Sequence, residues 1–203
     1  MADQVVLVRH GETAWSRMLR HTGRTDIPLD DAGRDRARAL QPVLAEIEGI
    51  EAATVATSPL SRARETCALA GLGDRAEVWP DLAEWDYGEI EGRRTDEVRA
   101  DRPGWSVWTS DVPGGESLGD VVARAQRVIA RLDGIEGLAV LFAHAHLLRV
   151  LGATWCGWVP DGGMHLRMDP AAVSRLGYER EHRVIESWNA VPDLVRRAAG
   201  ANR

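Results

Sequence analysis

Short apolar runs alternate with stretches of helical periodicity along most of this chain, and that alternation restricts the fold more than any other feature. The apolar runs are too short for core helices but suit strands buried in a sheet. Strands that alternate with helices are typical of α/β proteins with a largely parallel sheet. We therefore predict an α/β layer structure with strands at residues 4–8, 53–57, 77–79, 138–143 and, near the C-terminal end, 183–188.

Helices are predicted between these strands from apolar spacing and from capping residues. Serine, aspartate and proline favour the first turn of a helix, and glycine favours its end. The stretch 84–116 differs because it is rich in Trp, Gly and Asp, and we predict a partly helical insertion that covers a site. The predicted helices run from Asp30 and Asp31 to Gly49, from Ser58 and Pro59 to Gly71, from a capping box at Ser117 to Leu132, and onward from the residue after Ala143.

Length and composition narrow the class of protein. A chain of 203 residues suits a single domain, residues 1–203. Its formal net charge of −6 disfavours nucleic acid as a partner, because such binding relies on surplus positive charge. No apolar run approaches the roughly 20 residues that span a bilayer, so we expect a cytoplasmic protein without a membrane partner. The two cysteines, Cys67 and Cys156, are expected to be reduced core residues.

Four polar clusters follow the apolar runs, at the position where open α/β sheets bind their ligands. They lie at residues 8–13, 58–66, 83–88 and 142–146. Each cluster alone is a weak signal, since most charged side chains simply face solvent. Together they bring two arginines, two histidines and a glutamate to one edge of the predicted sheet, namely Arg9, His10, Arg62, Glu84 and His144.

The order of these motifs resembles the histidine phosphatase superfamily, which is also called phosphoglycerate-mutase-like. The segment Leu-Val-Arg-His-Gly-Glu-Thr at 7–13 is similar to the signature of that family, and matching segments follow to about residue 156. The resemblance implies a three-layer α/β/α sandwich with a largely parallel central sheet, and an enzyme with no cofactor and no metal. The matching segments are Thr22-Gly23, Ser58-Pro-Leu-Ser-Arg62-Ala, Glu84-Trp-Asp-Tyr87-Gly, Pro113-Gly-Gly-Glu-Ser117 and His144.

The resemblance also implies a role for each catalytic residue. His10 is the nucleophile that becomes phosphorylated, Glu84 is the proton donor to the leaving group, and Arg9, Arg62 and His144 form the phosphate pocket. These residue types suit the chemistry, because guanidinium groups bind phosphate oxygens at constant charge and a neutral imidazole attacks near pH 7. A backbone acceptor is expected to fix the tautomer of His10, and His144 is expected to be protonated beside the phosphate.

Several departures from the family pattern favour a phosphatase over a mutase. Ser16 stands where mutases usually carry Asn, and Thr95 stands where they carry Lys. The paired arginines of the longer mutase insertion are not evident. Ala145 replaces the usual Gly after the second histidine, although its backbone N–H is kept. The substrate contacts that the resemblance implies come from Ser16, Thr22, Gly23, Tyr87 and Ala145.

The substrate class follows from a closer resemblance within the superfamily. Segments at 21–26, 85–92 and 142–146 look most like a branch that contains acid phosphatases and a sugar-bisphosphate phosphatase. Small phosphorylated metabolites are therefore the expected substrates, with sugar phosphates first. A phosphoglycerate mutase that uses the same residues is the nearest alternative, and release of free phosphate would distinguish the two.

Two further alternatives belong to different classes. His144 and His146 form an HxH pair that could bind a metal if both side chains pointed the same way. The second alternative is a non-catalytic binding module on the same fold, and the complete catalytic set argues against it. Homodimers are the commonest oligomers, so a homodimer is the expected assembly.

A few residues outside the motifs also carry predictions. Trp105 and Trp108 are spaced as on a helix and are predicted to form a small satellite core, with a substrate-facing role as the alternative. His165 and His182 are expected at the surface. The segment 196–197 is expected to be a frayed helix end.

Overall fold

A six-stranded sheet organises the part of the chain that the computed structural model describes, residues 2–192. The five predicted strands are present, and a sixth joins them. The strands are β1 (Ala2–Arg9), β2 (Thr54–Thr57), β3 (Ala76–Val78), β4 (Gly137–Ala143), β5 (Val173–Glu179) and β6 (His182–Ala190). The helices are α1 (Ala14–Arg17), α2 (Asp31–Ala45), α3 (Ser61–Leu69), α4 (Thr95–Asp101), α5 (Leu118–Leu132) and α6 (Ala145–Trp155).

The strand order β3-β2-β4-β1-β5-β6 makes the sheet largely parallel, as predicted. The first four strands in that order run parallel, whereas β5 is antiparallel to β1 and β6 is antiparallel to β5. The register places the last residues of β1, β2 and β4 level with one another. His10, Ser58 and His144 directly follow these strands. All three therefore lie at the carboxyl ends of neighbouring parallel strands.

Helices cover both faces of this sheet, which confirms the α/β/α sandwich. Side chains of β1 alternate between the faces, since Val5 and Leu7 belong to one apolar cluster whereas Val6 and Val8 belong to the other. Helices α5 and α6 pack in the first cluster, and α2 and α3 pack in the second. Burial on both faces explains why β1 is a continuous apolar run and not an alternating one.

The capping residues predicted the starts of two long helices correctly. The hydroxyl of Ser117 accepts the Asp120 N–H at 3.2 Å, and the Asp120 carboxylate accepts the Ser117 N–H at 2.9 Å, so the predicted capping box begins α5. Asp30 caps α2 by accepting the Gly33 N–H at 2.8 Å. Helix α2 ends at Ala45, earlier than the predicted end at residue 49.

The predicted start of the second helix at Ser58 and Pro59 is wrong, because α3 begins at Ser61. Ser58 is buried, and its N–H donates to the Phe142 carbonyl at 2.9 Å, which extends the hydrogen bonding of the sheet. Its hydroxyl lies 2.7 Å from Nε2 of His144. A residue with good capping chemistry is therefore used to hold a site histidine.

Strand β5 was not predicted, because polar Ser174 and Arg175 and then Gly177 interrupt its apolar pattern. Both cysteines are free thiols, with Cys67 buried and Cys156 half-buried. No helix within the described residues is long and apolar enough to cross a membrane. The predicted helix end at 196–197 lies outside the described residues.

Candidate active site

A cavity of about 600 Å³ opens where β1 and β4 end, and this size suits a small metabolite. Its base is formed by residues that follow these strands, and its side is formed by the predicted insertion and the 160–168 loop. The five predicted catalytic residues at or beneath the base are called the floor: Arg9, His10, Arg62, Glu84 and His144. The wall consists of Arg99, Trp105, Trp108, Arg149 and His165, all of which line the cavity.

His10 is held as a neutral imidazole with one free nitrogen. Its Nδ1 lies 2.6 Å from the Gly11 carbonyl oxygen, an acceptor, so Nδ1 carries the proton and Nε2 keeps its lone pair. Burial lowers the pKa of His10 well below its usual value, and the charges of Arg62 and Arg9 lower it further. The predicted backbone acceptor is thus present, and the nitrogen that it leaves free is the candidate nucleophile.

The glycine after His10 is required by packing. A Cβ atom on Gly11 would lie 2.4 Å from the Gly33 carbonyl oxygen, a distance that no side chain tolerates. The Gly11 N–H donates to the Thr66 hydroxyl of α3 at 3.0 Å. Helices α2 and α3 therefore hold the turn that presents His10.

Arg9 is a half-buried cation with an unused buried donor. Its Nη1 donates to the Met168 carbonyl at 2.6 Å, whereas its buried Nε has no hydrogen-bond partner within residues 2–192. Burial lowers the pKa of Arg9, and the nearby Glu84 carboxylate opposes that shift. An anion in the cavity would give this guanidinium the partner that it lacks.

Arg62 organises the floor from beneath. It is completely buried, and its Nη1 and Nη2 donate to carbonyl oxygens of the 22–25 loop, each at 3.0 Å. Its Nε donates to Nδ1 of His144 at 3.2 Å. Arg62 thus fixes the orientation of His144 and the loop that borders the cavity.

His144 is held as a neutral imidazole in the structure without a ligand, and its expected protonation beside a bound phosphate stays a prediction. Burial lowers its pKa well below the usual value, and Arg62 and His10 lower it further. Because Nδ1 accepts from Arg62, Nε2 carries the proton and donates to Ser58. Its ring centroid lies 5.1 Å from that of His10, so the two predicted histidines do meet.

The Glu84 side chain contacts the N-terminal turn of α6. Its carboxylate accepts three backbone N–H groups, from Trp85 at 3.0 Å, from Leu147 at 2.9 Å and from His146 at 3.1 Å. The buried setting expected from the neighbouring Trp85 and Tyr87 rings is present, and the three donors fix the orientation of the carboxyl group. The carboxyl group is therefore held in one place beside the floor histidines.

A second arginine fixes the segment that carries Glu84. Arg124 of α5 donates to the Asp81 and Ala83 carbonyls at 2.9 and 2.7 Å and reaches the Glu84 carbonyl at 3.3 Å. It also forms a two-pronged pair with Glu116, both contacts at 2.7 Å. The two ends of the predicted insertion are thus tied to one half-buried side chain.

The five predicted substrate-binding residues are only partly placed as expected. Ser16, Thr22, Tyr87 and Ala145 line the cavity. Ala145 is the first residue of α6, so its N–H points out of the helix end without an intrahelical partner. Gly23 is an exception, because its N–H donates to the Glu91 carboxylate at 2.8 and 3.0 Å and is not offered to a ligand.

Several cavity residues were missed. His21 is buried, which lowers its pKa to about 4, and its Nε2 lies 3.2 Å from the Thr95 hydroxyl. Arg99 and Arg149 line the wall. Arg149 follows Ala145 by four residues on α6, so helical spacing could have placed it on the same face.

The HxH pair does not form a metal site. Both ring nitrogens of His144 are bound to Arg62 and Ser58, whereas His146 hydrogen-bonds through Nδ1 to the Tyr87 hydroxyl at 2.5 Å. His146 packs against the Trp108 ring at 5.3 Å, as expected for a residue of the first helical turn. Within residues 2–192, no group of three or more His, Cys, Asp or Glu side chains could hold a metal ion.

The tryptophan pair has a larger role than a satellite core. Trp105 and Trp108 are buried within the main apolar cluster on the α5 and α6 face, and both also line the cavity. His165 and His182 are exposed, as predicted, although His165 lies at the cavity edge.

A neutral histidine with a free Nε2, set among arginines and a carboxyl group at the strand ends of an α/β sandwich, is typical of enzymes that transfer phosphoryl groups. Comparison with known proteins makes the class specific. The model of the histidine phosphatase superfamily (branch 1) matches residues 5–191, and the chain belongs to that family.

Individual relatives agree with this assignment. An acid phosphatase of Mycobacterium tuberculosis is 39% identical over 178 residues, which cover 87% of each chain. Sedoheptulose 1,7-bisphosphatase of Saccharomyces cerevisiae is 33% identical over 77% of this chain and 69% of its own. A probable phosphoglycerate mutase of Cronobacter sakazakii is more distant, at 30% identity over 91% and 89%. The solved structure of a Mycobacterium tuberculosis open reading frame superimposes with a TM-score of 0.87 at 33% identity, covering 95% of this chain and all of that one.

Proposed function

We propose that this chain hydrolyses small phosphorylated metabolites, sugar phosphates first, by passing the phosphoryl group through Nε2 of His10. The observation that carries the proposal is the bond between Nδ1 of His10 and the Gly11 carbonyl, which leaves Nε2 unprotonated in a buried, cation-rich site. The phosphatase names of two relatives support hydrolysis over interconversion.

The first step forms a phosphohistidine. The Nε2 lone pair of His10 attacks phosphorus, the bond from phosphorus to the ester oxygen breaks, and the departing alkoxide takes a proton from the Glu84 carboxylic acid. The Nδ1 proton stays on its bond to the Gly11 carbonyl, so the charged ring remains held. The free Nε donor of Arg9 binds an equatorial oxygen, and Arg62 with His144 stabilises the transferred group from beneath.

The second step restores the enzyme. Water attacks phosphorus, Glu84 takes the proton that the water loses, and the bond between phosphorus and Nε2 breaks with its electrons returning to nitrogen. The products are the alcohol and inorganic phosphate. Every proton and charge in this cycle has a place on the chain, so the proposal includes no cofactor.

The test is a panel of phosphorylated metabolites with p-nitrophenyl phosphate as reference, assayed for phosphate release with a chelator present. Acid-quench labelling during turnover should place phosphate on His10. Hydrolysis of none of these esters would overturn the proposal, as would label on another residue. Efficient interconversion of phosphoglycerates with little phosphate release would favour the mutase instead.

The remaining expectations concern the setting of the enzyme. A cytoplasmic location and a homodimer are proposed from the sequence composition and from the usual assembly of such chains. Cell fractionation and light scattering test them separately. Neither result bears on the chemistry, because the five floor residues come from one chain.

A further inference from the structure

Two arginines of the wall carry charge that the protein itself does not neutralise. Arg99 and Arg149 both line the cavity, and neither forms an ion pair with any carboxylate of the described chain. Two other cavity arginines do have such partners, Arg20 with Glu97 at 3.8 Å and Arg167 with Asp169 at 2.9 Å, and Arg9, which also has none, belongs to the floor. The contrast is unexpected in a chain whose formal net charge is −6.

Arg149 is fixed in direction but not saturated. Its Nε donates to the Gly163 carbonyl and its Nη2 to the Met164 carbonyl, both at 3.0 Å, and its guanidinium stacks 4.5 Å from the Trp108 ring. These contacts leave Nη1 without an acceptor among residues 2–192. Arg149 lies one helical turn, about 6 Å along the axis, from Ala145 at the helix end nearest the floor.

Arg99 is held in the same manner from the insertion. It lies on α4, and its Nε donates to the Trp105 carbonyl at 2.8 Å, which leaves both terminal nitrogens available. The two tryptophans of the wall therefore orient one arginine each, one through its backbone carbonyl and one through its ring. Backbone contacts fix where a guanidinium points without reducing its charge.

Two like charges that face one cavity repel each other, and partial burial of Arg149 increases the cost. An anionic group of the ligand removes that cost by binding both. The phosphoryl group that reacts at His10 already has Arg9 and Arg62, so the wall pair is surplus to the chemistry. The cavity volume of about 600 Å³ also exceeds what one phosphate needs.

We infer that the substrate carries a second anionic group, a phosphate or a carboxylate, which Arg99 and Arg149 bind at the wall while the first phosphate reacts at His10. This inference rests on the proposed function. It turns the expected substrate class from sugar phosphates in general into small metabolites with anionic groups at both ends.

The experiment compares matched substrates that differ in one anionic group. Fructose 6-phosphate and fructose 1,6-bisphosphate test a second phosphate, whereas glycerol 3-phosphate and 3-phosphoglycerate test a carboxylate. We expect kcat/KM to be about 10- to 100-fold higher for the doubly anionic member of at least one pair. In Arg99→Gln and Arg149→Gln that preference should fall by a similar factor, mainly through KM.

Controls separate charge from folding. Arg38→Gln removes an exposed arginine of α2 that pairs with Asp35, and it should leave the preference unchanged. Arg149→Lys keeps the charge and should retain part of the preference. If Arg149→Gln fails to fold, Arg99→Gln still decides the matter, because Arg99 is an exposed residue on a short helix.

The outcomes distinguish the two proposals. Loss of preference in the wall variants supports the second-anion site. Hydrolysis of p-nitrophenyl phosphate without preference for either doubly anionic substrate overturns the site and leaves the proposed function standing, as does a preference that Arg99→Gln does not alter. No hydrolysis of any ester by the wild-type chain overturns the proposed function itself.

Discussion

The floor and the wall of the cavity are both rich in cations, but they hold their charges differently. In the floor, Arg62 uses all three of its nitrogens on carbonyls and on His144, and Glu84 accepts three backbone N–H groups. In the wall, Arg99 and Arg149 are anchored by one side of the guanidinium and keep the other side open. Apart from the Nε of Arg9 and the Nε2 of His10, which face the reacting phosphoryl group in the proposed mechanism, the polar groups of the floor are bound to the protein, whereas the wall keeps terminal guanidinium nitrogens open.

This difference separates two tasks. Groups that move a phosphoryl group must already have their position and protonation state fixed when the substrate arrives, because reorganisation during the reaction would raise the barrier. Groups that select a substrate have to exchange water for ligand, so open donors serve better. We therefore propose that the floor carries the phosphoryl-transfer chemistry and that the wall selects the substrate.

The largest expected effect is the loss of the nucleophile. His10→Ala should reduce kcat/KM for p-nitrophenyl phosphate by about 10⁴-fold or more, because no other group can form the covalent intermediate. His182→Ala, which removes an exposed histidine of β6, is the matched control and should be active. A phosphoenzyme that still forms in His10→Ala would mean that another residue is the nucleophile. The chemistry could then no longer be assigned to the floor.

The next effect depends on the leaving group. Glu84→Gln removes the proton donor and should slow hydrolysis of glycerol 3-phosphate by about 10²- to 10³-fold. The loss for p-nitrophenyl phosphate should be tenfold or less, since nitrophenolate departs without a proton. Glu89→Gln alters an exposed glutamate of the same segment and serves as the control. Equal losses for both esters would mean that Glu84 positions the site and does not act as an acid.

Sequence reasoning reached the floor and the tryptophans of the wall but not its arginines, and the reason is physical. Residues that end a strand are placed by the strand, so the apolar runs of β1 and β4 were enough to bring His10 and His144 together. Arg99 and Arg149 line one cavity only because an insertion and a helix pack through Trp105 and Trp108, and no periodic pattern encodes that packing. The fold was predictable for the same reason, apart from β5, whose polar interior residues hide a strand.

Ser58 shows how a correct local rule can be overridden. Serine followed by proline favours a helix start, yet the sheet uses the N–H of Ser58 and its hydroxyl contacts Nε2 of His144. The tautomer of His144 could not be predicted for a related reason. Only the folded arrangement shows that Arg62 donates to its Nδ1 and excludes a proton there.

The ion pair between Arg124 and Glu116 joins the insertion, which carries Glu84 of the floor, to α5. Breaking this pair tests how much it contributes to stability. Arg124→Met should lower the free energy of unfolding by about 3 kcal/mol, because Glu116 and two carbonyls lose their half-buried partner. For a chain of this size the melting temperature should fall by roughly 6–12 °C. Arg127→Met, which breaks an exposed pair with Asp81 on the same helix, should change it by a degree or two. Similar melting temperatures for both variants would show that the insertion is held by apolar packing alone.

The protonation state of His10 predicts the pH profile. Burial, Arg62 and Arg9 lower the pKa of His10, so the ring stays neutral as pH falls through 6.5 and is protonated only at more acidic pH. A histidine of ordinary pKa would lose about 30-fold in kcat/KM at pH 5, whereas this enzyme should keep most of its activity. Arg9→Gln removes one lowering charge and should shift the acid limb to higher pH. The substrate ionises in the same way in assays of the wild type and of Arg9→Gln. If kcat/KM of both proteins fell at the same pH near 6.5, the prediction would be contradicted.

The smallest effect lies where floor and wall meet. His146 donates its backbone N–H to Glu84 and packs its ring on Trp108, and the Tyr87 hydroxyl, 2.5 Å from Nδ1, sets the ring's tautomer. Burial raises the pKa of Tyr87 well above its usual value, with Glu84 and Glu91 adding to the shift, so the hydroxyl stays a donor.

Tyr87→Phe removes that donor and frees the ring of His146 to change tautomer. We expect a three- to tenfold loss of kcat/KM, equivalent to about 1 kcal/mol for one buried hydrogen bond. If the bond couples the two regions, kcat and the preference for a second anionic group should both change, because His146 contacts each region. Tyr178→Phe deletes the same hydroxyl on β5, beside Trp155, and should leave both quantities unaltered. A change in kcat alone would mean that the wall selects substrates independently of how the floor is held.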